Sequence, residues 1–129
     1  MGFSVNTINS AGTEADNELY GDTTDRMTAT LSDGTLVAAI RRADSPATIP
    51  VYTSSDNGVT WTLRVTMTLG GASSASTYPV AMCTDAIDDL HFAYSKEAGI
   101  VSYAHATYGA GPTYTQADGT NVEVINEAT

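Results

Sequence analysis

Residues 51–65 read Val51-Tyr52-Thr53-Ser54-Ser55-Asp56-Asn57-Gly58-Val59-Thr60-Trp61-Thr62-Leu63-Arg64-Val65, and this stretch decides the fold. Val51 to Thr53 and Thr60 to Val65 are rich in β-branched and aromatic residues, which suit a pleated strand. Between them lie Ser, Asp, Asn and Gly, the residues that accept tight turns and positive φ. A short Asp side chain at position 56 can take backbone N–H groups of the turn as donors. Gly58 suits a place where a Cβ is unwelcome. Trp61 brings a large apolar surface and one N–H to satisfy. The expectation is a hairpin whose polar residues serve structure rather than chemistry.

Working outward, the same grammar recurs. Met27 to Leu31 and Thr35 to Ile40 are expected strands joined by Ser32-Asp33-Gly34, and Asp-Gly between two β-rich runs is a strong hairpin signal. Thr48 to Thr53 and Thr60 to Met67 complete four strands. A Gly/Ser/Ala stretch follows, and then Tyr78 to Cys83, Leu90 to Ser95, Ile100 to Ala106 and Thr113 to Gln116. Asp118-Gly119-Thr120 is expected as a turn before a last strand at Asn121 to Ile125. No segment sustains a helical period. Leu36-Val37-Ala38-Ala39-Ile40 aligns with Leu90-His91-Phe92-Ala93-Tyr94, and Thr60-Trp61-Thr62 with Thr113-Tyr114-Thr115, at offsets of 54 and 53. Near-equal offsets predict one supersecondary unit used twice. The expected organisation is an N-terminal arm or strand at 1–25, a four-stranded unit at 26–69, a linker at 70–77 and a second unit with a C-terminal strand at 78–129.

Ser54, Asp56, Gly58, Thr60 and Trp61 fill every fixed position of the pattern S-x-D-x-G-x-T-W, the Asp box. The chain thereby resembles sialidase-type β-propellers carrying the bacterial neuraminidase repeat. The resemblance implies an all-β fold of antiparallel four-stranded sheets resembling propeller blades. In the second unit the segment Ala106 to Pro112 lacks the Asp, so its box is expected to be degenerate. Propellers close with about four to eight blades, and this chain holds about two. The expectation is therefore an incomplete propeller, one completed by oligomerisation, or two sheets facing each other as a small sandwich.

The family's chemistry implies three arginines on the substrate carboxylate, a tyrosine nucleophile with a glutamate, and an aspartate acid/base. Arg26, shortly before Asp33-Gly34-Thr35-Leu36, is the candidate for one clamp arginine, although the family's Ile-Pro after it is replaced by Met27-Thr28. Arg41 and Arg42 are adjacent and point to opposite sides of a strand, and Arg64 leaves the turn on the far edge. No tyrosine has a recognisable glutamate partner. The expectation is a non-catalytic structural or recognition module, with a phage tail, neck or fibre component as one setting. The alternatives are a fragment or subunit of a sialidase-like glycoside hydrolase, or a sugar-binding lectin built from oligomeric blades.

Composition bounds the remainder. Fifteen acidic residues against five basic give a net charge of −10, which argues against nucleic acid and anionic membranes as partners. No apolar run approaches the length of a membrane span. Met1 to Val5 has neither the basic region nor the apolar core of a secretory signal, while the composition suits a virion or extracellular surface. Self-association or a larger assembly is expected, a glycan is a candidate ligand, and no cofactor is implied. Cys83 is the only cysteine, expected as a buried thiol. Asp85, Asp88 and Asp89 share one turn and are candidate calcium ligands, with a solvated acidic turn as the other reading. His91 and His105 lie in different strands without a zinc motif. Tyr103, Tyr108 and Tyr114 are candidate stacking residues for a ligand, with packing as the other reading.

Overall fold

The computed structural model describes residues 27–40, 48–69, 80–97, 100–110 and 113–126, with side chains at all of these except 95–97 and 118–126. Eight strands form two four-stranded antiparallel meanders. The first sheet holds β1 (Thr28–Thr30), β2 (Leu36–Ala39), β3 (Thr48–Ser54) and β4 (Thr62–Thr68). The second holds β5 (Val80–Thr84), β6 (Leu90–Glu97), β7 (Ile100–Gly109) and β8 (Thr113–Asn126). Spatial order follows chain order in both, because each strand is joined to the next by a connection too short for a crossover. The fold is all-β, and the two sheets do not close into a ring. Arg26, Arg41, Arg42, the N-terminal arm and the linker at 70–77 lie outside the described residues.

The first hairpin of each sheet keeps the expected offset in its hydrogen bonding. Thr28 pairs with Ala38 in the first sheet and Met82 with Phe92 in the second; both members move by 54 positions (82 − 28 and 92 − 38). The turns repeat as well. Leu31 N donates to Thr35 O and Gly34 N to Leu31 O, while Asp85 N donates to Asp89 O and Asp88 N to Asp85 O. Gly34 and Asp88 hold the same turn position with φ of 88° and 67°. Glycine adopts that region without cost, whereas Asp does so at some cost that its side chain must offset.

Three strand expectations change. β7 runs on to Gly109 rather than ending at Ala106, and Ala106 to Gly109 pair with Thr113 to Gln116. Asp118 to Thr120 is not a free turn. β8 runs through it, and the extra residues are taken up by register shifts opposite Tyr103 to Ala106. In the first sheet Thr60 and Trp61 stay in the turn and β4 starts at Thr62. A bulge pairs Val51 with Val65 and Tyr52 with Leu63, leaving Arg64 as the extra residue.

The sheets share one core. Val37, Ala39, Ile49, Val51 and Met67 of the first cluster with Val80, Met82, Leu90, Phe92, Tyr94, Ala104 and Tyr114 of the second. Alternation along each strand selects these side chains. The faces used are opposite ones in terms of the repeat. Val37 and Ala39 point into the core, but their equivalents 54 positions on, His91 and Ala93, point out. Leu90 and Phe92 point in, whereas their equivalents Leu36 and Ala38 belong to the first sheet's outer face. The units are stacked head to tail, as repeats in an array are. Gln116 ties one edge: its Nε2 donates to Thr68 O at 3.0 Å and its Oε1 accepts from Thr68 N at 2.9 Å.

Phe92 is fully buried at the centre of this interface, so Phe92→Ala is expected to cost about 3–5 kcal/mol in urea unfolding. Ser102 is also buried, and its hydroxyl has no hydrogen-bond partner among the described residues. Ser102→Ala is expected to leave stability unchanged or raise it by up to about 1 kcal/mol.

Candidate functional site

Three polar constellations stand out, and each includes turn residues. The first is the β3–β4 turn. Asp56 Oδ1 accepts from Ser54 Oγ at 2.7 Å and from Thr60 N at 2.8 Å, and its Oδ2 accepts from Thr60 Oγ1 at 2.6 Å. Ser54 Oγ accepts from Gly58 N at 2.8 Å, and Trp61 Nε1 donates to Gly58 O at 3.1 Å. Asn57 and Gly58 carry φ of 58° and 85°, which explains the Asn-Gly pair at this point. The Thr60 hydroxyl and N–H, then the Ser54 hydroxyl, lower the Asp56 carboxyl from its ordinary 3.8 to about 2. Ser54, Asp56, Gly58, Thr60 and Trp61 are thus all engaged within their own turn. Arg64 donates from Nε to Thr53 Oγ1 at 2.7 Å.

The second constellation joins the sheets. Asp88 reaches the equivalent turn of the first unit, where Oδ1 accepts from Ser32 N at 2.8 Å and Oδ2 from Ser32 Oγ at 2.6 Å. Tyr114 OH donates to Asp88 O at 3.0 Å, and burial pushes the Tyr114 phenol well above its usual range. The carboxylate that departs from the glycine of the first turn is therefore the one that clasps that turn.

The third constellation lies on the outer face of the second sheet. His91 and His105 are direct cross-strand partners, and their rings stack at 4.7 Å with planes 5° apart. His91 Nε2 lies 3.2 Å from Asp85 Oδ2, and its Nδ1 lies 2.6 Å from Tyr103 OH. A carboxylate only accepts, so the neutral ring donates from Nε2 and accepts the Tyr103 proton at Nδ1. His105 Nε2 lies 3.0 Å from Asp89 Oδ2, whose Oδ1 accepts from Tyr108 N at 2.7 Å. Asp85 Oδ1 accepts from Ile87 N and Asp89 N, each at 3.0 Å. Burial raises the Asp85 carboxyl, but the His91 ring and those two N–H groups outweigh it, so the carboxyl lies below its ordinary range.

These placements answer the sequence expectations. Asp85, Asp88 and Asp89 diverge, one toward the first sheet and two toward separate imidazoles. Among the described residues no group of three or more His, Cys, Asp or Glu side chains is placed to hold a metal ion. The three tyrosines divide as well. Tyr108 and Tyr114 contact each other at the core, with centroids 5.2 Å apart, while Tyr103 stands on the opposite face beside the histidines. Cys83 is exposed rather than buried, because Val80 and Met82 take the inward positions of β5 and alternation turns Cys83 outward. The histidine array escaped the sequence reading because the β6–β7 register depends on a shift between Ser95 and Glu97. The chain was compared with protein-family models, with curated proteins and with solved structures, and none matches.

Two outcomes test the structural assignments. Asp56 is expected to contribute stability that is complete above about pH 4 and lost as pH falls toward about 2. Asp56→Ala should lower the urea midpoint at pH 7 and flatten acid unfolding in that window. Asp88→Ala leaves the Ser32 N–H without its acceptor, and a loss of about 1–3 kcal/mol is expected in the same assay. Asp88→Asn, which keeps one oxygen and tolerates positive φ, should lose less.

Proposed function

We propose that this chain is a non-catalytic structural or recognition module that works within a larger assembly, its two sheets being consecutive blade-like units of a propeller-type stack. One observation carries the reading: the two units meet by opposite faces of their 54-residue repeat. Stacking of this kind has no internal stop, and it ends only when a ring closes or an end is covered. The filled Asp-box pattern supports the same reading, since Asp56, Thr60 and Trp61 are engaged in holding a hairpin. The acidic, Thr- and Ser-rich composition fits an exposed part of a virion, such as a tail, neck or fibre.

A fluorogenic sialoside tests the catalytic half of the proposal. No release of fluorophore is expected from the wild type. Release that disappears in an Arg26→Ala variant would replace the module by an enzyme. A glycan array decides between structure and recognition: retention of a glycan that is lost in Tyr103→Ala assigns recognition, and an empty array assigns structure.

A further inference from the structure

Asn57-Gly58 in the β3–β4 turn is the chain's only Asn-Gly pair. Both residues carry positive φ, 58° and 85°. The turn itself therefore selects these residue types, asparagine for its tolerance of the left-handed region and glycine for its freedom there. The same pair is open to attack by the backbone on a side-chain amide. Glycine has no Cβ to shield its own nitrogen, and a bond from that nitrogen to Asn57 Cγ closes a five-membered ring. Asn57 and Val59 are exposed, so water reaches the site. The surrounding hydrogen bonds oppose the attack. Gly58 N donates to Ser54 Oγ at 2.8 Å, and Ser54 Oγ donates its single proton to Asp56 Oδ1 at 2.7 Å. The Gly58 nitrogen thus faces oxygen lone pairs backed by a carboxylate. Losing its proton would forfeit the bond and turn a negative charge toward Asp56.

We propose that Asn57 is a self-modification site, converted to aspartate and isoaspartate through a succinimide, and that Ser54 holds the conversion off while the turn is closed. In the opened turn a base in solution takes the Gly58 N–H proton, and the nitrogen bonds to Asn57 Cγ. The bond from Cγ to the amide nitrogen then breaks, and ammonia leaves with a proton taken from water. Water opens the ring at one of its two carbonyl carbons. Addition at Cγ gives an ordinary aspartyl residue. Addition at the main-chain carbonyl carbon gives isoaspartate, with the chain routed through Cγ. The net exchange is water for ammonia, with no oxidant, reductant or cofactor. Isoaspartate adds a methylene to the main chain inside the loop that Asp56 closes onto Thr60. The bonds from Gly58 N to Ser54 and from Thr60 to Asp56 then no longer fit together, so the conversion undoes the turn.

The full chain is incubated in neutral buffer, folded and in concentrated urea, and Asn57 is followed by peptide mass spectrometry, with enzymatic methylation of isoaspartate as a second readout. Conversion in urea is expected to be about tenfold or more faster than in the folded wild type, because only the opened turn reacts. Ser54→Ala removes the acceptor for Gly58 N and should convert several-fold faster than the wild type while its circular dichroism shows it folded. Ser54→Cys, whose thiol is a weak acceptor, serves the same purpose where Ser54→Ala does not fold. Phe92→Ala weakens the core without touching the turn, and at a temperature where it is folded it should convert at the wild-type rate. Absence of conversion at Asn57 in urea, or a folded wild type as fast as the unfolded chain, overturns the proposal. So does a folded Ser54 variant no faster than the wild type, or a Phe92→Ala rate equal to that of Ser54→Ala.

Discussion

Everything in this structure depends on one constraint: a four-stranded antiparallel sheet has two faces, and a short chain can cover only some of them. Burial of apolar side chains between the first and second sheets is the dominant favourable term. It is made with Val37 and Ala39 from one unit and Leu90 and Phe92 from the other. Because these are opposite faces of the same repeat, the interface is asymmetric, and each unit keeps a face of the kind its neighbour has used.

Polar chemistry is subordinate to this packing. The carboxylates of the described turns are acceptors for nearby donors: Asp33 for Thr35 N, Asp56 for Thr60, Asp88 for Ser32 and Asp89 for Tyr108 N. Such bonds are individually modest, but they hold turns whose backbone angles glycine alone adopts freely. The Gly34-to-Asp88 replacement shows the logic. The second unit gives up glycine's freedom at this position, and its carboxylate gains the Ser32 bonds that lock the two units together.

Much of this was legible beforehand. The eight strand cores, the meander order and the turn at Ser54 to Trp61 could be read from residue types, because each hairpin is set by local chemistry. The histidine array could not. His91 and His105 are fourteen positions apart, and they stack only because a shift between Ser95 and Glu97 sets the β6–β7 register. Cys83 was misplaced for a related reason. Being apolar, it suits either face, and only the parity set by Val80 and Met82 turned it outward.

The sequence by itself determined the strands, the repeat and the capped turn, since these follow from interactions between residues a few positions apart. The tertiary structure alone decided which face of each sheet was buried, and therefore that Asp88 clasps the other unit and that Ala81, Cys83 and Ala93 are left open. Alternation in a strand states that two faces exist. Which one meets a partner is a long-range choice, made by the packing of both sheets at once.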